Sequence, residues 1–114
     1  MITVKTWCLP KLSEEQLENL HISIVKAAIS IPEVGILDES QMLNLFPTDM
    51  MSYGLGTEII VEVSKVPLSC DLGIRNKLAQ AIVTAIRNIL PETRTIECDV
   101  LPINKDAGHY IDAH

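Results

Sequence analysis

Ile2-Thr3-Val4-Lys5-Thr6-Trp7-Cys8-Leu9-Pro10 opens the chain, and Glu58-Ile59-Ile60-Val61-Glu62-Val63-Ser64 leads to Pro67 in its second half. Both are runs rich in β-branched residues that stop at a proline, a residue a central ladder does not accept. A serine with acidic residues follows each, Ser13-Glu14-Glu15 in one half and Ser69-Cys70-Asp71 in the other. A long helical pattern then runs to Pro32 or Pro91, and a short extended segment ends at Pro47 or Pro102. The six prolines thus form two sets of three with nearly equal spacing. The chain reads strand–helix–strand twice, as pseudo-repeats of about 1–56 and 57–114 within one domain spanning 1–114.

The first helix has a clear start. Ser13 caps it, Gln16 completes a capping box, and Leu12 is placed to staple onto Leu17. Glu14, Glu15 and Glu18 suit the positive end of its dipole. Its apolar stripe is Leu17, Leu20, Ile24, Ala27, Ala28 and Ile31, with Ile22, Val25 and Ile29 as a second line. The second helix buries Leu78, Ile82, Ala85, Ile86 and Ile89, exposes Arg75, Lys77, Gln80, Thr84 and Arg87, and stops before Pro91. Strands at Gln41–Phe46 and Thr95–Leu101 close the two units, and Ser52–Thr57 joins them. A strand–helix–strand connection is normally a right-handed parallel crossover, so each half yields a parallel pair. The expected fold is α+β, a four-stranded mixed sheet with both helices on one face. Trp7 and Phe46 are expected in the core.

That arrangement leaves one sheet face uncovered, and the composition says what should cover it. In 114 residues, 47% are hydrophobic and only 4% aromatic, with a mean hydropathy of +0.25. A domain this small buries about two-thirds of its unfolded surface. The surplus Ile, Leu and Val are therefore expected on the open face, buried against further copies of the chain. With 9 basic and 15 acidic side chains, the net charge is -6, which opposes a phosphate backbone and excludes nucleic acid as the expected partner. No apolar stretch reaches the roughly 20 residues of a membrane span, and Lys5 and Lys11 interrupt any secretory leader. Cys8, Cys70 and Cys98 are too far apart for a metal or disulfide framework. They are expected as reduced thiols of a cytoplasmic protein, and Cys70, near a helix start, is the one to test for reactivity. No glycine-rich phosphate loop occurs, and the three histidines are scattered, so no cofactor and no metal are expected.

Tandem βαβ units suit either a ferredoxin-like domain or the tautomerase superfamily, and two local motifs resemble the second. Ser13-Glu14-Glu15-Gln16 is similar to the S-[DE]-E-Q helix start of 4-oxalocrotonate tautomerase (4-OT). Pro47-Thr48-Asp49-Met50-Met51-Ser52-Tyr53-Gly54-Leu55-Gly56 resembles the segment before an aromatic-Gly pair in that group and in macrophage migration inhibitory factor. The resemblance implies a homotrimer with pockets between subunits and an N-terminal proline whose amine acts as base or acid, made effective by an apolar setting. Cationic side chains would hold a substrate carboxylate and the developing enolate.

This chain departs from that pattern. Ile2 stands at the position of the catalytic proline, Leu12 at one arginine position with Lys11 displaced beside it, and Asn44 near the other. Tyr53 keeps the aromatic. Proline-based tautomerisation is therefore not expected, and no residue is assigned as catalytic. The candidate pocket residues are Ile2, Lys5, Lys11, Tyr53, Lys65, Glu97, His109 and Tyr110, with a small carboxylate as the expected ligand. A Lys–Glu pair together with His109 would make an acid–base set if they converge. His21, on the helix stripe, is expected at the core edge, satisfied by a backbone carbonyl. His114 is expected to be mobile. A structural or interaction protein without catalysis, and a ferredoxin-like dimeric ligand sensor, are the alternatives.

Overall fold

The computed structural model describes residues 1–47 and 58–114. Strand β1 (Ile2–Trp7) leads to helix α1 (Glu14–Ile29), and strand β2 (Met42–Leu45) closes the first unit. Strand β3 (Glu58–Val66), helix α2 (Leu72–Ile89) and strand β4 (Thr95–Pro102) form the second. Two single 3-10 turns, Pro32–Val34 and Glu39–Gln41, precede β2. The sheet order is β2-β1-β3-β4. β1 pairs with β2 and β3 with β4 in parallel, while β1 and β3 are antiparallel. Each unit's two strands are therefore direct neighbours. A ferredoxin-like domain splits them, so that alternative is excluded.

Helix α1 starts as the sequence dictates. Gln16 donates its backbone N–H to the Ser13 hydroxyl at 3.2 Å, and the Ser13 N–H donates to Gln16 Oε1 at 2.9 Å. Ser13→Ala is expected to cost about 1 kcal/mol, as N-cap losses do, read as a lower urea midpoint with an unchanged slope. In α2, Asp71 is the cap, accepting from the Ile74 N–H at 2.9 Å.

The core lies between the helices and one face of the sheet. Leu20, Ile24 and Ala28 from α1 and Leu78, Ile82 and Ile86 from α2 recur every four residues and are fully buried. They meet Ile2, Val4, Ile59, Val61 and Val63, which alternate along the two central strands. Ile31 belongs to this core although α1 has ended before it.

Several expectations need correction. Of the second line on α1 only Val25 is buried, because Ile22 and Ile29 lie on the far side of the cylinder. Trp7 alternates onto the open face, half-buried, and donates its indole N–H to Glu62; Phe46 is half-buried against the core. Cys8 lies just past β1 rather than within it. Arg87 is half-buried because its guanidinium donates to the Thr93 carbonyl, and half-buried Arg75 donates Nε–H to the Cys70 carbonyl at 3.3 Å. The open face, finally, is not an aliphatic sheet. Leu43, Leu45, Ile60 and Leu101 are there, but they alternate with Thr3, Lys5, Glu58, Glu62, Ser64, Thr95, Glu97 and Asp99. Most of the Ile, Leu and Val went to the helix side instead.

Candidate functional site

The strands fix where each candidate residue stands. Ile2 opens β1, paired to Met42 of β2, and its side chain is in the core at 3% exposure. Its neighbour Met1 is 70% exposed. On the other side of β1, Thr3 pairs with Ser64, so Lys65 follows at the same end of the sheet where Ile2 enters. Lys65 is exposed, and its backbone is left-handed at φ 64. The ladder shifts register between Val63 and Val66, so Lys65 sits in a bulge at a backbone conformation that usually belongs to glycine. Strain of this kind costs about 1–3 kcal/mol and is characteristic of functional positions.

Cys8, at φ 67, repeats the feature two residues before Pro10 as Lys65 does before Pro67. The internal repeat therefore extends to backbone dihedrals. Because β1 and β3 are antiparallel, the Cys8 loop and exposed Lys11 leave at the opposite end from Ile2 and Lys65.

Lys5 and Glu97 share the open face without being partners. Lys5 stands between Leu45 and Glu62, and Glu62 is followed across the sheet by Asp99. Glu97 lies beside Ile60, one row away and two strands from Lys5, roughly 12 Å by ordinary sheet spacing. The face thus carries four carboxylates, Glu58, Glu62, Glu97 and Asp99, against the single cation Lys5 among the described residues. His109 and Tyr110 are exposed in the segment after β4. Tyr53, Met50 and Met51 lie outside the described residues. One subunit therefore brings Ile2 and Lys65 to one end, places Lys5 and Glu97 mid-face, and gathers no Lys–Glu–His set.

A side-chain cluster that the sequence reading missed joins α1 to β2. His21 Nε2 is 3.2 Å from Glu39 Oε2, and Asn44 Nδ2 is 2.9 Å from His21 Nδ1. His21 is thus satisfied by side chains, not by a backbone carbonyl. The only advance signal was Asn44, near which the resemblance puts an arginine of the family. Among the described residues, Asn44 Oδ1 and Thr6 Oγ1 are buried polar atoms with no partner.

Cys70 and Cys98 are packing groups. Cys70 is 2% exposed and directs Sγ–H toward the Glu33 carbonyl at 3.5 Å. Cys98 is held protonated to about 12, first by burial and then by the neighbouring Asp99 charge. Iodoacetamide at pH 8.5 should therefore leave Cys98 unlabelled in the folded protein and label it in urea, read by peptide mass spectrometry. Among the described residues, no cluster of three or more His, Cys, Asp or Glu could hold a metal, and no helix is long and apolar enough to cross a membrane.

No protein-family model matches the chain, and no curated protein matches it. Solved structures do. The chain is similar to a fused 4-OT described as an asymmetric trimer, at TM-score 0.66 and 13% identity over 94% of this chain and 91% of that one. It is similar to a protein of unknown function from Vibrio cholerae, at TM-score 0.67 and 16% identity over 97% and 84%. A malonate semialdehyde decarboxylase inhibited by 3-bromopropiolate also matches, at TM-score 0.60 and 9% identity over 96% and 89%. At these identities the likeness is one of fold.

Proposed function

From the tautomerase-superfamily fold of this chain, we propose that it is a subunit of a homotrimer that binds a small carboxylate between subunits without proline-based tautomerisation. The observation that carries this reading is the end of the sheet where Ile2 and Lys65 stand together. In this reading Ile2 takes the place of the catalytic proline of the resembled family, and its side chain is committed to the core. Lys65 beside it is an exposed cation on a strained backbone. A compact ammonium holds a carboxylate as a point charge, whereas no secondary amine is there to take a proton from carbon. Lys5, Lys11, Tyr53, Glu97, His109 and Tyr110 belong to the same proposal as walls that neighbouring subunits would complete. The fused 4-OT similar to this chain is a trimer, which supports the assembly.

The test has three arms. Light scattering should give three times the 12.6 kDa subunit mass. Saturation-transfer NMR with pyruvate and phenylpyruvate should show binding that weakens at least tenfold in Lys65→Ala, the range of a lost charge-assisted hydrogen bond of about 1.5–3 kcal/mol. Ketonisation of phenylenolpyruvate should stay at the buffer rate. Ketonisation well above it would overturn the non-proline reading, and undiminished binding by Lys65→Ala would overturn the assigned cation.

A further inference from the structure

The helix layer, on the side away from the open sheet face, carries a trough that the reading above does not use. It lies between α1 and α2, is a shallow depression of about 680 Å³ open to solvent, and runs from Ser23 to Ile31 on one wall and from Lys77 to Ile89 on the other. The longer wall covers twelve helical steps, or about 18 Å. Half-buried Ala27, Ala81 and Ala85 line it together with buried Ile31, and among the described residues its charged lining side chains are Lys26 and Lys77, one on each wall.

That charge runs against the rest of the molecule. The chain carries a net -6, yet α2 holds Arg75, Lys77 and Arg87 and no acidic residue in its 18 positions. The acids of α1, Glu14, Glu15 and Glu18, fall in its first turns, before the trough begins at Ser23. The carboxylates of the sheet lie on the opposite side. The trough is therefore lined by basic and uncharged side chains in a chain whose net charge is -6.

We infer that this trough seats an acidic amphipathic helix of a partner protein. Small side chains lining it let a third helix axis come close, and apolar residues spaced three and four apart would meet the alanines. Carboxylates on its flanks would face Lys26 and Lys77, a complementarity that selects against basic and neutral helices. A trough of three turns matches a helix of about twelve residues, whereas a small anion would occupy only one end of it.

The test is a selection in which the trough chooses its occupant. A displayed library of randomised 14-residue helices is panned against the whole protein, and the strongest binder is made as a synthetic peptide. The expected winners carry Asp or Glu beside apolar positions spaced three and four apart. Their Kd should rise at least tenfold in the Lys26→Glu/Lys77→Glu variant. Ala81→Phe, which fills the trough, should abolish binding while the far-ultraviolet dichroism stays that of the parent. Amide shifts on titration should map to α1 and α2. Enrichment of basic or neutral helices, survival of binding in both variants, or shifts confined to the strands would overturn the inference. So would a change in the mass of the free protein caused by Lys26→Glu/Lys77→Glu, since the occupant would then be a second copy. None of these readouts depends on carboxylate binding at Lys65.

Discussion

Ile82→Ala is expected to cost about 2–5 kcal/mol, the range for truncating a fully enclosed aliphatic residue. Ile82 has no solvent exposure and sits midway along α2 between Leu78 and Ile86, in the row that holds this helix to the sheet and to α1. Four carbons of isoleucine reduced to one leave a hole that neighbouring strands, fixed by their ladders, cannot collapse to fill. Domains of this size hold about 5–15 kcal/mol in total, so the loss is a large share of it. The urea midpoint should drop with an unchanged slope, and the melting temperature should fall by roughly 10 °C or more. Ile29→Ala is the control. Ile29 lies on the same layer but on its outer side, so its truncation should move stability by only about 0.5 kcal/mol. Equal losses at the two positions would mean that the helices do not pack as described.

Lys65→Gly is expected to separate stability from binding. A side chain held at φ 64 costs about 1–2 kcal/mol, which glycine does not incur. Glycine brings back about 0.5–1 kcal/mol through its freer unfolded chain. The net expectation is a protein more stable by about 0.5–1 kcal/mol in urea, in which pyruvate binding has nonetheless fallen at least tenfold. Lys65→Ala removes the same charge but keeps the left-handed backbone, so it should lose the ligand without gaining stability. A destabilised Lys65→Gly would show that the lysine stem packs, and the strain account would fail.

The fold was legible because its determinants are local or periodic. Pro10 and Pro67 mark the strand ends, Ser13 and Gln16 form the capping box, and rows such as Leu78, Ile82 and Ile86 set the buried side of each helix. The open face was misjudged because composition counts residues without assigning them to a side. Only strand register reveals that Ile59, Val61 and Val63 point to the helices while Ile60 and Glu62 point away. Arg87 was misplaced for a related reason: its acceptor is the Thr93 carbonyl, a backbone atom with no sequence signature. The site was less legible still. His21, Glu39 and Asn44 come from three elements and have no mutual spacing to recognise. Lys65 was named from its place at a strand end, but its left-handed backbone depends on a register shift that its own side chain does not announce.

Trp7 has a further use. It is the single tryptophan of the chain, stands half-buried on the open face, and is tied to Glu62 through its indole. Its fluorescence therefore reports on that face alone. A cover laid over the sheet would exclude water from the indole, shift its emission to shorter wavelength and shield it from acrylamide. Occupation of the helix trough on the far side would leave the spectrum where it was. The protein thus carries an internal optical gauge that tells which of its two surfaces is engaged, with no label attached.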